Sequence, residues 1–545
     1  MRRRFGTGFI EVRRCLRYTL AMANAPAAQS ADAPSLQELV ASQAARIAEL
    51  EQQNARQSDR IVTLQEQLNL ALARRFAARS EKLSPDQIRL FDEAESASPL
   101  PMSDDSAATD ENDGIDVPAH RRRRGKRRPL PASLPRVEIR HELPESERCC
   151  PHDGRRLKAT GEVTSEQLDI VPATVQVLRH VRVQYACDCG QCIKTAALPP
   201  QPIPKSNASP GLLAHITVSK YQDALPLYRQ ETILQRIGVD IPRSTLSHWM
   251  VKAGTLVQPL INLLRDQLLA HDVLQMDETT VQVLKEAGRR AQSTSYLWVQ
   301  RGGPPEHPVI LFDYDPGRGQ AVPQRLLDGF AGYLQTDGYE GYNAVVAAQG
   351  LTHLGCWAHV RRKFHEAVKA QGKPSRGRSG GGKAQQGLAL IQSLYQVERL
   401  AKDGSAEARQ ALRHEKAVPI LEQLHGWLLK SLPTVPPRTA TGKALAYLSN
   451  EWDKLQGYLQ DGRLHIDNNL AENAIRPFVV GRKNWLFSDS VGGVMASANL
   501  YSLIETAKAN GLEPYAYLRK VYTELPKAQS VADLEALLPY KVTVP

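Results

Sequence analysis

Asp272-Val-Leu-Gln-Met-Asp277-Glu-Thr-Thr-Val-Gln-Val-Leu284 is the stretch on which the architecture turns. It opens a β-rich region that continues through Tyr296-Leu-Trp-Val299, Val309-Ile-Leu-Phe312 and Tyr333-Leu-Gln-Thr-Asp337-Gly338. Short apolar runs bounded by turn residues read as strands, and the first three are close enough in sequence to form a meander. Asp277 and Asp337 each stand at the C-terminal end of an apolar run. If those two strands are neighbours, both carboxylates project from one edge of the sheet. Close carboxylates repel and raise one another's pKa. A divalent ion such as magnesium, which prefers oxygen ligands, resolves that conflict.

A two-metal phosphoryl-transfer site needs a third carboxylate, and it lies much further along. Asp467-Asn-Asn-Leu-Ala-Glu472-Asn-Ala-Ile-Arg476-Pro477 reads as a capped helix, with Asp or Asn at its start and Pro at its end. Glu472 and Arg476 are spaced to share a face, where an exposed ion pair worth a few tenths of a kcal/mol is the simpler reading. Between the second and third acids, residues 366–465 carry no strand signal. A Gly/Ser-rich loop at 373–382 precedes helical stretches at 385–402, 406–430 and 441–459, so a helical insertion interrupts the sheet domain.

Upstream the character is different. Residues 36–72 repeat apolar positions at alternating three and four, with Val40, Ile47, Asn54, Ile61 and Leu68 at a and Leu36, Leu50 and Leu64 among the d positions. That seam, with a polar Asn at one a position, predicts a two-stranded coiled coil and a homodimer or higher oligomer. The alternative is a single amphipathic helix folded back on the body. Phe91 to Ala119 has nine acidic residues and no Lys or Arg, a composition expected of a disordered linker. It ends at a basic hook, Arg121, Arg122, Arg123, Arg124, Lys126, Arg127 and Arg128, which can lie along phosphates or in a minor groove. A solvated tail paired loosely with the acidic stretch is the competing reading.

The chain has 545 residues, 69 Lys+Arg against 58 Asp+Glu, a net charge of +11 and 42% hydrophobic residues. That length requires several cores, and the positive balance favours a polyanionic partner. No apolar run is long enough to span a bilayer, so no membrane partner is expected. Arg13, Arg14 and Arg17 interrupt the only segment resembling an export signal. Seven cysteines are too few for a disulfide scaffold, and Cys149, Cys150, Cys187, Cys189 and Cys192 cluster instead. Two short Cys knuckles around a β-like stretch (Gln167 to Gln184) have the pattern of a zinc ribbon. The first knuckle, Cys149-Cys150-Pro-His152-Asp153, is irregular, so its zinc ligands stay open between these residues. Leu225-Pro-Leu-Tyr-Arg-Gln230 and Arg243-Ser-Thr-Leu-Ser-His-Trp249 flank Gly238-Val-Asp-Ile-Pro242 in the manner of a helix-turn-helix.

Several motifs in one order carry a family resemblance. Asp277-Glu-Thr, Gln335-Thr-Asp337-Gly-Tyr339, Gly355-Cys-Trp-Ala-His359-Val-Arg361-Arg-Lys363-Phe364, Asp467-Asn-Asn-Leu-Ala-Glu472-Asn-Ala-Ile-Arg476-Pro, Gly481-Arg-Lys-Asn-Trp485-Leu-Phe and Tyr501-Ser-Leu-Ile-Glu-Thr-Ala-Lys508 resemble bacterial transposases of the insertion-sequence 66 family. The likeness extends upstream through Arg74-Arg-Phe76, Ser80-Glu-Lys-Leu83 and the Cys-rich ribbon, and covers about residues 35 to 525. It departs at Asp153, where the family's ribbon usually supplies a Cys.

The resemblance implies a multidomain α/β protein whose ribonuclease-H-like core carries a DDE triad, here Asp277, Asp337 and Glu472. Its cofactors would be magnesium or manganese at that triad, with structural zinc in the ribbon. His359, Arg361, Arg362, Lys363, Arg476, Arg482 and Lys483 are candidates to hold phosphates nearby, each with a solvated surface role as the alternative. The implied function is cleavage of double-stranded DNA at element ends and transfer of the freed strands to a target. A catalytically inert DNA-binding regulator of the same descent is the alternative. Accessory proteins of the same element are expected partners, and the cytoplasm, at the nucleoid, is the expected location. The expected organisation is an unstructured N-terminus (1–34), a dimerising helix (35–90), linker and hook (91–147), ribbon (148–200), helical module (201–265), first catalytic part (266–365), helical insertion (366–465) and second catalytic part (466–545).

Overall fold

The structure, a computed structural model, describes residues 36–76, 175–186, 193–371 and 382–543. The acidic linker, the basic hook, Cys149, Cys150, Cys187, Cys189, Cys192 and nearly all of the Gly/Ser-rich loop lie outside the described residues. The chain divides into two units, one of residues 1–82, 200–235 and 240–545, the other of residues 83–199 with 236–239. The architecture is α/β, as expected.

In the smaller unit, strands β1 (Gln184–Ala186) and β2 (Ile193–Thr195) pair antiparallel across the second Cys knuckle. The Arg182 guanidinium donates to the Ala196 carbonyl at 2.6 Å. Strand structure was expected from Gln167 onward. Among the described residues it is confined to these two strands, because Val175, Val177, Leu178 and Val181 are exposed with no strand beside them.

In the larger unit, helix α1 (Leu36–Phe76) forms where the heptads predict it. Its seam positions Val40, Ile47, Leu50, Ile61, Leu64 and Leu68 are exposed. Near its end the helix is tied down: Glu66, only 8% exposed, accepts from the Ala440 N–H at 2.7 Å, and Asn69 donates to the Ala370 carbonyl at 3.0 Å. Four helices follow, α2 (Pro210–Tyr221), α3 (Leu227–Arg236), α4 (Arg243–Leu256) and α5 (Gln258–Ala270). Ser209 caps α2 by accepting from the Leu212 N–H, with Pro210 in the first turn. The turn between α3 and α4 contains Gly238 at φ 82°, a left-handed conformation that glycine adopts at no steric cost.

Five of the six strands of the central sheet follow the order β5-β4-β3-β6-β7: β3 (Val273–Lys285), β4 (Thr294–Gly302), β5 (Val309–Asp315), β6 (Tyr333–Gln335) and β7 (Thr352–Leu354). The first three make the expected antiparallel meander, and β6 and β7 run parallel to β3. The connections back to the sheet carry short helices α6 (Ala321–Leu326) and α7 (Asn343–Gln349).

Helix α8 (Trp357–Gln371) leads into the insertion, built from α9 (Lys383–Leu400), α10 (Ala406–Leu412), α11 (Val418–Ser431), α12 (Ala440–Asn450) and α13 (Trp452–Gln456). These fall where the sequence predicted helices. They close on a core that includes Trp357, Phe364, Ile391, Leu424 and Leu445. A π-turn at Arg413–Ala417 joins α10 to α11. Arg413 is 1% exposed; its fork grips both Glu398 oxygens at 2.8 Å and donates to the carbonyls of Tyr458 and Leu464 at 2.8 Å. Such a charge is tolerated only because every N–H is matched, and the grip fixes the segment that delivers the last acid.

The chain then returns to the sheet domain as α14 (Asn469–Trp485), a short β8 (Ser488–Ser490), α15 (Val491–Ala509), α16 (Pro514–Glu524) and α17 (Val531–Glu535). The far end of β3 pairs with β8. Helix α15 is buried almost all round, as a helix inside a core must be. Its Ser502 and Thr506 hydroxyls accept from the Phe312 and Ile310 N–H groups at 2.8 and 3.0 Å, closing the open edge of β5. Among the described residues no helix is long and apolar enough to cross a membrane.

Two expectations need correction. Pro477 does not end α14 but sits inside it, and Phe478 and Gly481 beyond it are buried. Phe478 packs against Trp485 and Tyr501 at centroid distances of 5.3 and 5.5 Å, which holds the turn despite the missing N–H. The helix stops instead at Leu486, whose φ of 67° cannot propagate it. Likewise Asp277 does not end its strand. Strand β3 runs on to Lys285 because β4 pairs with it as far as Gln282; only the parallel neighbour β6 stops short.

Candidate active site

Gln275 of β3 is in parallel register with Gln335 of β6. Asp277 lies two residues further along β3, and Asp337 two residues beyond the end of the adjoining β6, which lies ~4.8 Å away. Asp277 Oδ1 accepts from the Glu278 N–H at 2.8 Å, and Asp337 Oδ1 from the Tyr339 N–H at 2.9 Å. Gly338 follows Asp337 because a Cβ there would stand 2.9 Å from the Tyr447 hydroxyl.

Beneath the acids lies a buried amide layer. Gln275 Nε2 donates to Gln335 Oε1 at 2.7 Å and to the Asp467 carbonyl at 3.3 Å. Gln335 Nε2 donates to the carbonyls of Gly355 and His465 at 3.2 and 2.8 Å. Two strands and the approaches to α8 and α14 are thereby stitched together. Asn468, fully buried, completes the join: its Nδ2 donates to the Met276 carbonyl at 2.8 Å, next to Asp277. The side chain expected to cap α14 therefore ties that helix to β3, while Asp467 accepts from the Asn469 N–H at 3.2 Å.

Glu472 lies in the first turn of α14. Its carboxylate meets the start of α8, with Arg362 Nη2 at 3.4 Å and His359 Nδ1 at 3.6 Å. Burial, then the charges of Glu278, Glu472 and Asp337, push the Asp277 carboxyl up to about 8. The three acids therefore share one electrostatic neighbourhood. Burial also lowers the His359 pKa, against the pull of Glu472. An oxygen-rich donor set whose first member resists ionisation for want of a cation suits a hard divalent ion such as magnesium or manganese.

Glu278 faces the other way. Its side chain, 3% exposed, accepts from Arg318 Nε at 2.7 Å and from the Tyr342 hydroxyl at 2.8 Å. The Arg318 guanidinium lies 3.9 Å from the Tyr339 ring centroid, so this network fixes the turn that carries Asp337. Sequence reasoning missed Glu278, Arg318, Asn468 and the glutamine pair. A polar residue two positions before each Asp, inside an otherwise apolar strand, was the available signal.

The candidate phosphate-holding residues separate. Arg361 is buried, with its guanidinium 5.2 Å from the Tyr395 ring centroid. Lys363 Nζ stands 4.5 Å from the Tyr447 ring. Arg482 donates to the Thr279 and Thr280 hydroxyls at 3.2 and 3.0 Å, next to β3. Arg476 is half-buried, while Arg362 and Lys483 are exposed. Trp357 is core, its Nε1 donating to the Leu455 carbonyl at 2.9 Å.

The family model described as "Transposase IS66 family" matches residues 205–496, and that of the "IS66 C-terminal element" matches 502–540. Two further models match upstream: "Transposase C of IS166 homeodomain" at 63–139 and "zinc-finger binding domain of transposase IS66" at 147–190. Among similar proteins of Sinorhizobium fredii, "Uncharacterized protein y4jD" is 34% identical over 75% of this chain and 81% of its own length. "Uncharacterized protein y4qI" is 33% identical over 76% of this chain and 78% of its own. The sheet, the returning helix and the ordered motifs along them agree with that kinship: the chain belongs to the IS66 family of transposases.

Proposed function

We propose that the protein is a DNA transposase that binds the ends of its mobile element and performs metal-dependent phosphodiester cleavage and strand transfer on a ribonuclease-H-like core. Asp277, Asp337 and Glu472 are the acids that carry the reaction. The observation that supports this most is that three acids far apart in sequence share one electrostatic neighbourhood: Asp277 on β3, Asp337 two residues beyond the adjoining β6 and Glu472 on a helix tied to β3 through Asn468, although their carboxylate oxygens do not all lie within 4.8 Å of one another.

A magnesium or manganese ion bound by these oxygens would supply the positive charge that acidifies the attacking water or 3′-hydroxyl and offsets charge on the phosphate. The chain's own residues do the positioning. The glutamine layer joins the strands that lead to Asp277 and Asp337, and Asn468 ties the start of the Glu472 helix to β3. Arg362, which pairs with Glu472, and the cations of α14, Arg476, Arg482 and Lys483, would receive phosphates. The basic hook and the zinc-finger segment, with zinc held by its cysteines, would read the element ends. Helices α3 and α4 have the helix-turn-helix pattern for the same task. The exposed seam of α1 is the surface through which a second copy would assemble.

The test is cleavage of an end-containing duplex. Wild-type protein should nick it only with magnesium or manganese. Asp337→Asn should abolish nicking and leave DNA affinity near wild type. Equal nicking by that variant overturns the assignment.

A further inference from the structure

Cys356 stands immediately before helix α8, which opens Trp357-Ala-His359, and this corner meets Glu472 on α14. One potential ligand atom from each of Cys356, His359 and Glu472 lies within 4.8 Å of the other two. Among the described residues this is the group in which three side chains of ligating type come so close. The Nδ1 of His359 and the Oε1 of Glu472 are both buried atoms. They stand 3.6 Å apart, and neither makes a hydrogen bond. Two strong polar groups side by side and unbonded cost free energy unless something between them takes both lone pairs.

Cys356 points the same way. It is 2% exposed, and its Sγ receives the Asn468 backbone N–H at 3.2 Å. A thiol packed only for bulk needs no such donor, whereas an N–H aimed at sulfur is the usual outer support of a metal-bound thiolate. The donor set is sulfur, imidazole nitrogen and carboxylate oxygen. Magnesium and calcium take oxygens, while zinc and its neighbours in the first transition row accept this mixture.

We propose that Cys356, His359 and Glu472 form a binding site for one thiophilic divalent ion, zinc foremost, beside the Asp277–Asp337 pair and sharing Glu472 with it. Binding releases the Cys356 thiol proton to solvent and leaves the charge on sulfur as thiolate. Three protein ligands leave a further position open, as in zinc sites that take water or substrate. The inference concerns binding alone and rests on the proposed reaction only in that Glu472 is assigned to both.

The test is zinc content of full-length protein after equilibrium dialysis, with cobalt absorption as a second reading. The segment containing Cys149 to Cys192 contributes equally to every variant, so differences report this corner. Wild type should hold one equivalent more than Cys356→Ser and His359→Asn, with circular dichroism unchanged. The sulfur-to-cobalt charge-transfer band should weaken in both variants. Equal zinc in wild type and both variants would overturn the site. So would loss in Cys356→Ser alone, which would mark a simple thiol adduct. Neither reading depends on DNA cleavage, so failure of the proposed reaction and failure of this site are separable.

Discussion

Strand β3 and the segment of β6 that runs on to Asp337 carry two polar layers that behave in opposite ways. The lower pair, Gln275 and Gln335, is buried and donates all four of its N–H bonds, to each other and to three carbonyls. The upper pair, Asp277 and Asp337, is half-buried, and the carboxyl of Asp277 is pushed up to about 8 by burial and by its acidic neighbours. Every donor of the lower layer is matched within the protein, with Gln275 Oε1 alone left unpaired; the upper layer, on the proposed reading, would be neutralised by a cation from outside. The contrast separates groups that build the fold from groups proposed to carry chemistry.

The largest separation of the two layers should come from neutral isosteres. Asp277→Asn should lower metal-dependent cleavage by at least ~100–1000-fold. It should also raise the metal-free melting temperature by a few degrees, because a buried, repelled charge is gone. Lower melting temperature with lost activity would mean that the acid is structural.

Gln335→Leu should do the reverse. It strands the Gln275 amide and the Gly355 and His465 carbonyls, at a cost of about 2–4 kcal/mol in urea unfolding. An unchanged midpoint would contradict the stitching role. Asn468→Ala removes the tie to Met276 and should cost about 1–3 kcal/mol. Cleavage should fall about tenfold by the loosening of Glu472, with DNA affinity retained. Unaltered turnover would show that α14 is held in place by other contacts.

The smallest effect is a pH dependence at the margin of the site. His353 Nε2 lies 2.8 Å from the Thr336 hydroxyl, which donates to the Asp337 carbonyl, and burial lowers its pKa from 6.5 to about 4. The unfolded chain takes up this proton near 6.5 and the folded one only near 4. Stability is therefore complete above 6.5 and declines as pH falls through that window. His353→Gln should flatten the decline between pH 6.5 and 4 in thermal melts. A parallel decline in the variant would assign it to other groups.

Much of this arrangement was legible beforehand. Alternating apolar runs revealed β3 to β6, and the stretch without strand signal before Glu472 revealed the helical insertion. Strands β7 and β8 did not announce themselves, since three residues paired by tertiary contacts carry no periodicity. Local rules misjudged Pro477, where packing of Phe478 outweighs the missing hydrogen bond. They also misjudged Asn468, where a bond to a distant strand displaces the expected cap. Buried Arg413 looked like any charged helix residue, because its acceptors come from segments that only the fold assembles.

The most direct test of the central claim, that Asp277, Asp337 and Glu472 hold a shared cation, is ferrous-ion affinity cleavage of the protein backbone. With iron and ascorbate, cuts are predicted at three places: mid-β3, just after β6 and in the first turn of α14. All three should fade together as magnesium is added. Cuts at one acid alone, or cuts indifferent to magnesium, would contradict it.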